Sequence, residues 1–278
     1  MFRVLRRCLL ALLLWPVAGG AFGAEPLRLG IMPFNSALAL IRTHQPLRNH
    51  LQARLDRRVE IFTSADYFTF LNETQAGNFD LVITGPHFGI MAIDRGYQPL
   101  VQYQAVLQPV FVVRRDGSIR GLDDLRGRRI GLSSRLSMSS IGGVKWLQDH
   151  GMMVGRDFSL YERATHGAAI AAVAVGDLDA ALTTHTPLRQ VPEDVRAKVT
   201  VLPLDVATPH LMTLANKRLG KPTIDRIRQA LYAFPATPEG QAFFQETGYQ
   251  GYRDVVPGDF KVLAPYLDLT RKVMSQSE

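Results

Sequence analysis

Two rhythms of hydrophobic and polar positions alternate along most of this chain. Short apolar runs recur, each followed by a longer stretch in which apolar residues return every three or four positions. Leu27–Ile31 is a run of the first kind, and Ala37–Leu55 a stretch of the second, in which Pro46 predicts an interruption or a restart. Val59–Phe62 and residues 80–84, 129–132, 158–160 and 179–183 repeat the strand pattern; residues 67–76, 139–150 and 168–175 repeat the helical one. Strands that alternate with helices imply an α/β fold of mostly parallel sheets flanked by helices, with ligand sites beyond the carboxyl ends of the strands.

The rhythm repeats itself. Gly77-Asn-Phe-Asp80-Leu-Val-Ile-Thr84 is echoed by Gly176-Asp-Leu-Asp179-Ala-Ala-Leu-Thr183, each segment following a helix and ending in a hydroxyl. Two similar lobes are expected, meeting at a cleft of the kind that favours small-molecule sites. Residues 106–113 and 206–214 read as strands that cross between the lobes, and the helix-rich residues 222–276 are expected to pack back on the first lobe. The division that follows is residues 24–109 with 207–278 in lobe 1, and 110–206 in lobe 2.

Residues 1–23 stand apart from this pattern. Arg3, Arg6 and Arg7 precede an apolar run from Cys8 to Phe22 that holds Pro16 and Gly19-Gly20, and Ala21-Phe-Gly23 puts small residues before Ala24. These are the parts of a secretory signal peptide cut before Ala24. Read instead as a membrane anchor, the run falls short of the ~20 residues a span needs. The single cysteine, Cys8, lies in this leader, so the mature chain has no disulfide or thiol chemistry. A periplasmic, soluble protein is expected, not an integral membrane one. The leader's three arginines reduce the formal net charge of +7 to a mild +4, and no long basic block of the nucleic-acid-binding type occurs. With 46% hydrophobic and 21% charged residues, the rest reads as ordinary folded protein.

The sequence offers little to catalysis. Gly-x-Ser-x-Gly, Ser-x-x-Lys and His-Glu-x-x-His are all missing, and Gly220-Lys221 has Ala215 where a phosphate loop needs its first glycine. The seven histidines show no metal-ligand spacing. Neither enzymatic activity, a cofactor nor a metal is expected. What does stand out is Ser133-Ser134-Arg-Leu-Ser137-Met-Ser139-Ser140, five serines in eight positions where a strand hands over to a helix. A nucleophile, an anion cradle of hydroxyls and helix-start N–H groups, or a polar loop with a good N-cap would each use such a cluster. Gly142 and Gly143 would leave the first helical turn unobstructed. On local grounds, cradle and plain cap stay open.

The order of several motifs adds to this. Leu27-Arg-Leu-Gly-Ile-Met-Pro33, Ala65-Asp-Tyr67, Gly77-x-x-Asp80 with Gly85-Pro86, Ser137-Met-Ser-Ser140, and His166 ahead of Gly176-x-x-Asp-Ala-Ala181 together resemble the phosphonate/phosphite-type periplasmic solute-binding proteins of ABC transporters. The resemblance spans most of the mature chain. It implies the two-lobed type II binding-protein fold, a small phosphonate-, phosphite- or phosphate-like anion held between the lobes, and delivery to a membrane permease. It also implies site residues: Ser137 and Ser139 as hydroxyls on the anion, Ser140 in place of a glycine and able to add another, and Met138 in place of a threonine with only its backbone to offer. Tyr67 matches a tyrosine that reaches the anion, and His166 a pocket histidine; a cap-plus-core tyrosine and a helix-capping surface histidine are the plainer alternatives. Gly89 stands where the family often has a tyrosine, so that either His87 and Phe88 fill that space or the pocket is larger. Residues 183–187 and 208–211, where aminoalkylphosphonate binders carry acids, contain none. The same fold can serve instead as a periplasmic sensor that docks on a receptor histidine kinase, and nothing in the chain separates the two roles.

Overall fold

The structure is a computed structural model that describes residues 25–276, so the leader and its cleavage site lie outside it. The chain begins with β1 (Leu27–Ile31), α1 (Ala37–Leu55), β2 (Val59–Phe62), α2 (Tyr67–Gln75), β3 (Leu81–Thr84), α3 (Pro86–Ile93) and β4 (Tyr97–Tyr103). It continues with β5 (Pro109–Arg114), β6 (Arg128–Leu132), α4 (Met138–Asp149), β7 (Phe158–Glu162), α5 (His166–Ala174), β8 (Ala180–Thr184), α6 (His185–Gln190), α7 (Glu193–Ala197) and β9 (Val199–Pro203). The last part is β10 (Met212–Asn216), α8 (Lys221–Ala233), α9 (Pro238–Thr247), β11 (Tyr252–Arg253) and α10 (Pro257–Ser275).

These elements form two sheets, ordered β11-β4-β10-β3-β1-β2 and β7-β6-β8-β5-β9. Each has a parallel trio from strand–helix–strand units, β2-β1-β3 and β7-β6-β8. The returning chain then enters antiparallel: β10 beside β3 and β4, and β5 beside β8 and β9. Both sheets are therefore mixed rather than mostly parallel, because the strands entering from the crossing segments run opposite to the trios. Each sheet with the helices that cover it forms one α/β lobe. Along β5, Phe111 and Val113 face one core and Val110 and Val112 the other, the period-two pattern of a strand buried on both faces.

The echo in the sequence has a shared geometry. Asp80 Oδ2 accepts the Arg28 N–H at 2.8 Å, and Asp179 Oδ2 accepts the Arg129 N–H at 2.8 Å. Gly77 and Gly176 precede them at φ of 76° and 86°, the left-handed turn that glycine enters at least cost. In both lobes the motif fastens the trio's third strand to its centre.

Helix α1 runs unbroken through Pro46. The carbonyl that loses its donor belongs to exposed Arg42, where water can replace it, while Leu40, His44, Leu47, Leu51 and Leu55 bury the opposite face. Packing of that face outweighs the missing hydrogen bond. The crossing segments meet at a single bridge: Leu107 N–H donates to the Thr208 carbonyl at 2.9 Å, and Thr208 N–H to that of Leu107 at 3.0 Å. Helices α8 and α9 pack on α1 in the first lobe, whereas α10 lies against both α3 and α4, so the C-terminal part touches both lobes.

Candidate ligand site between the sheets

The serine cluster forms the start of α4. Ser137 is its N-cap, in extended geometry, and its Oγ accepts the Ser140 N–H at 3.1 Å. The same hydroxyl donates to Ser140 Oγ at 2.7 Å and lies 3.1 Å from Ser139 Oγ. All three serines are buried. The N-cap is thus formed, with all three hydroxyls gathered at the helix start. The N–H groups of Met138 and Ser139 sit in the first turn, ahead of any intrahelical acceptor, where the helix dipole favours an anion.

Opposite this turn, on the other lobe, stands Tyr67. It is the first residue of α2, whose N-cap Asp66 accepts the Thr69 N–H at 2.8 Å. His166 is the first residue of α5, whose N-cap Thr165 accepts the Ala168 N–H at 3.0 Å. Tyr67 Oη lies 3.5 Å from His166 Nε2 and 3.4 Å from Ser133 Oγ, and Ser133 Oγ is 3.1 Å from His166 Nε2. The hydroxyls and ring meet across the lobe boundary. Burial lowers the His166 pKa to about 4, so its ring is neutral at pH 7, and its Nδ1 is buried with no hydrogen-bond partner. Burial also raises the Tyr67 phenol pKa, an effect the Ser133 hydrogen bond opposes, so the hydroxyl keeps its proton.

Between these groups is a cavity of ≈ 40 Å³ lined by Tyr67, Ser137, Ser139 and His166, with Met32 and Phe34 among its apolar walls. One water occupies about 10–15 Å³ on this measure, so the space suits a head group of a few non-hydrogen atoms. Among the described residues no Asp, Glu, Lys or Arg lines it.

Two of the six residues taken from the sequence lie elsewhere. Ser140 lines a separate groove outside the cavity, and it meets the site only through Ser137. His87 is fully buried behind Gly85, and its Nε2–H donates to the Leu136 carbonyl at 2.9 Å. It ties α3 of one lobe to the serine loop of the other. Burial lowers its pKa to about 4, with the Leu136 carbonyl acting in the opposite direction. Gly143 has a packing role instead of a clearance role: a Cβ there would come within 2.5 Å of Leu182, so glycine lets α4 lie close on β8.

The structure also adds residues to the site. Ser133 joins Tyr67 to His166, and Thr184, Thr186 and His210 line the cavity. His210 Nδ1 accepts the Leu211 N–H at 2.8 Å, and burial lowers the ring's pKa to about 3. The ring is neutral, and Nε2 therefore carries its proton as a donor. A signal for Thr184 was present in the echo. Tyr67 and His166 are 99 residues apart, as are Asp80 and Asp179, and the same step leads from cavity-lining Gly85 to Thr184.

Known proteins share this fold. A family model described as the phosphonate periplasmic substrate-binding protein of ABC transporters matches residues 29–260. PhnD1 of Prochlorococcus marinus, solved with methylphosphonate, superposes with a TM-score of 0.78 at 16% identity, over 90% of this chain and 98% of that one. A binding-protein component of a Pseudomonas aeruginosa ABC phosphonate transporter gives 0.74 at 15% identity, over 91% and 99% of the two chains. A Xanthomonas citri protein solved with ATP gives 0.71 at 18%, over 92% and 100%. At these identities the solved structures speak for the fold, and the family match for the relationship.

Proposed function

This chain belongs to the phosphonate-binding family of periplasmic substrate-binding proteins of ABC transporters, and from that premise we propose that its two lobes close over a small tetrahedral oxyanion and deliver it to a membrane permease. Phosphonates with small substituents, phosphite and phosphate form the ligand class. Ser137, Ser139, Tyr67 and His166 would hold the oxygens, and the N–H groups at the start of α4 would complete the set.

The observation that carries this reading is the neutral, hydroxyl-lined cavity built on the N-terminus of α4. Neutral donors hold an anion without a fixed countercharge, a suitable property in a protein that must release its cargo. Each hydrogen bond to a charged acceptor contributes about 1.5–3 kcal/mol, and micromolar affinity needs about 8 kcal/mol. Four or five such bonds suffice after a desolvation loss. With no carboxylate in the wall, an ammonium on the ligand would be buried without a partner.

Isothermal titration of the purified mature protein tests this. Methylphosphonate, phosphite or phosphate should bind at least tenfold more tightly than 2-aminoethylphosphonate. Absence of binding by all three anions, or tighter binding of the amine, would overturn the reading.

A further inference from the structure

The head-group cavity has a neighbour. A second chamber of ≈ 290 Å³ adjoins it, and the two share Leu107, Thr184, Thr186 and His210 as a common wall. Among the described residues, none that lines the small cavity is charged, whereas the chamber is lined by Arg189 and by no carboxylate. Arg189 belongs to α6, the helix that follows β8 at the carboxyl end of the strand trio. Its guanidinium lies against Gly248, the left-handed residue that ends α9: a Cβ on Gly248 would be 3.4 Å from Arg189 Cζ. Arg189 is exposed, and its guanidinium rests on this glycine turn rather than on an acid. Among the described residues Arg189 has no ion-pair partner, although Glu246 lines a neighbouring groove with it. The Arg189 backbone carbonyl accepts from Arg196 Nη1 at 3.0 Å, and burial followed by the Arg189 charge lowers the pKa of His185, a neutral ring that lines the chamber beside it.

A ligand whose oxyanion head sits at Ser137 and Ser139 can extend a substituent only past that common wall if it is to use the larger space. The walls it meets there are threonine hydroxyls and the His210 ring, and the charge it meets is a single cation. We propose that the chamber is a second subsite for a negatively charged substituent, making phosphonates with a carboxylate two or three bonds from phosphorus the preferred ligands, with Arg189 as the residue that sets this preference. The proposal rests on the oxyanion reading of the cavity. It goes further by assigning a sign to the far end of the ligand. A guanidinium presents a planar fork of donors that fits a carboxylate in bidentate fashion, and an unpaired one gives up no existing partner when it does so.

The experiment compares two probes of matched length by isothermal titration: 3-phosphonopropionate, with an anionic tail, and propylphosphonate, with an apolar one. Methylphosphonate serves as the head-group control. The carboxylate ligand should bind at least fivefold more tightly than propylphosphonate. That ratio should fall to about one in Arg189→Gln, and Arg189→Glu should shift preference toward 2-aminoethylphosphonate. Equal affinity for the two tails in the wild type, or a ratio that survives Arg189→Gln, would overturn the subsite. Failure of methylphosphonate, phosphite and phosphate to bind would instead remove the oxyanion reading beneath it, so the two failures are distinguishable.

Discussion

Tyr67 and His166 are equivalent residues of the two lobes that face each other: each begins a helix behind a capping side chain, and Tyr67 Oη stands 3.5 Å from His166 Nε2. The repeated strand–helix order gives them matching positions, and the cleft between the two sheets brings them into contact. Under the proposed function both groups would serve closure and ligand binding together, because each can bond to its counterpart or to an anion between them.

Tyr67→Phe should therefore weaken methylphosphonate binding by about 1.5–3 kcal/mol, the value of a hydrogen bond to a charged acceptor. Stability of the unliganded protein should change little, since the hydroxyl's contacts at 3.4 and 3.5 Å are long for hydrogen bonds. Titration calorimetry and urea unfolding of the same variant read the two effects separately. A large stability loss without an affinity change would make Tyr67 a core residue and no more.

The two cavity serines should behave differently. Ser137 carries the N-cap bond, so Ser137→Ala should cost about 1 kcal/mol of stability as well as affinity. Ser139 caps nothing, and Ser139→Ala should weaken the anion by about 1.5–3 kcal/mol while leaving the unfolding midpoint nearly unchanged. Unaltered affinity in Ser139→Ala would return the stretch to a helix cap.

Four buried histidines set an acid response. Burial lowers the pKa values of His44, His87 and His166 to about 4 and that of His210 to about 3, all below the ordinary 6.5. Between those limits the unfolded chain binds protons that the folded one refuses. Stability is thus fully present above about pH 6.5 and is lost as pH falls toward 4, at up to about 1.4 kcal/mol per pH unit for each histidine. Carboxylates held low, such as Asp259, act below their ordinary 3.8 and leave the upper part of the window to the histidines. Urea midpoints from pH 7.5 to 4.5 should fall steadily, and His44→Gln should lessen the slope. A flat profile would mean that these rings accept protons without opening the fold.

Gly143→Ala tests the packing of α4 on its sheet. The added Cβ would meet three atoms of the buried Leu182 side chain at 2.5 to 3.0 Å. Overpacking of this kind costs about 1–3 kcal/mol. Thermal unfolding should show the loss, and a gain in stability would indicate that helix propensity outweighs the clash.

Much of the architecture could be read directly from the chain, because strand and helix periods, caps and glycine turns are local properties. Alternation along the sequence specified the strand–helix order, Ser137 announced a helix start, and the repeated Gly-x-x-Asp marked two like lobes. Tertiary structure decided what depends on residues far apart. The antiparallel entry of β5 and β10 follows from where the chain returns, which no local period encodes. Pro46 stays within α1 because a buried face made by distant partners outweighs one lost hydrogen bond. His87 leaves the cavity because the Leu136 carbonyl, across the lobe boundary, takes its Nε2–H. Ser133 and the chamber beside Arg189 exist only where the two lobes are set against each other. A binding cleft is built from residues brought together by folding, and so its chemistry is the part of this protein that its linear pattern could outline but not assemble.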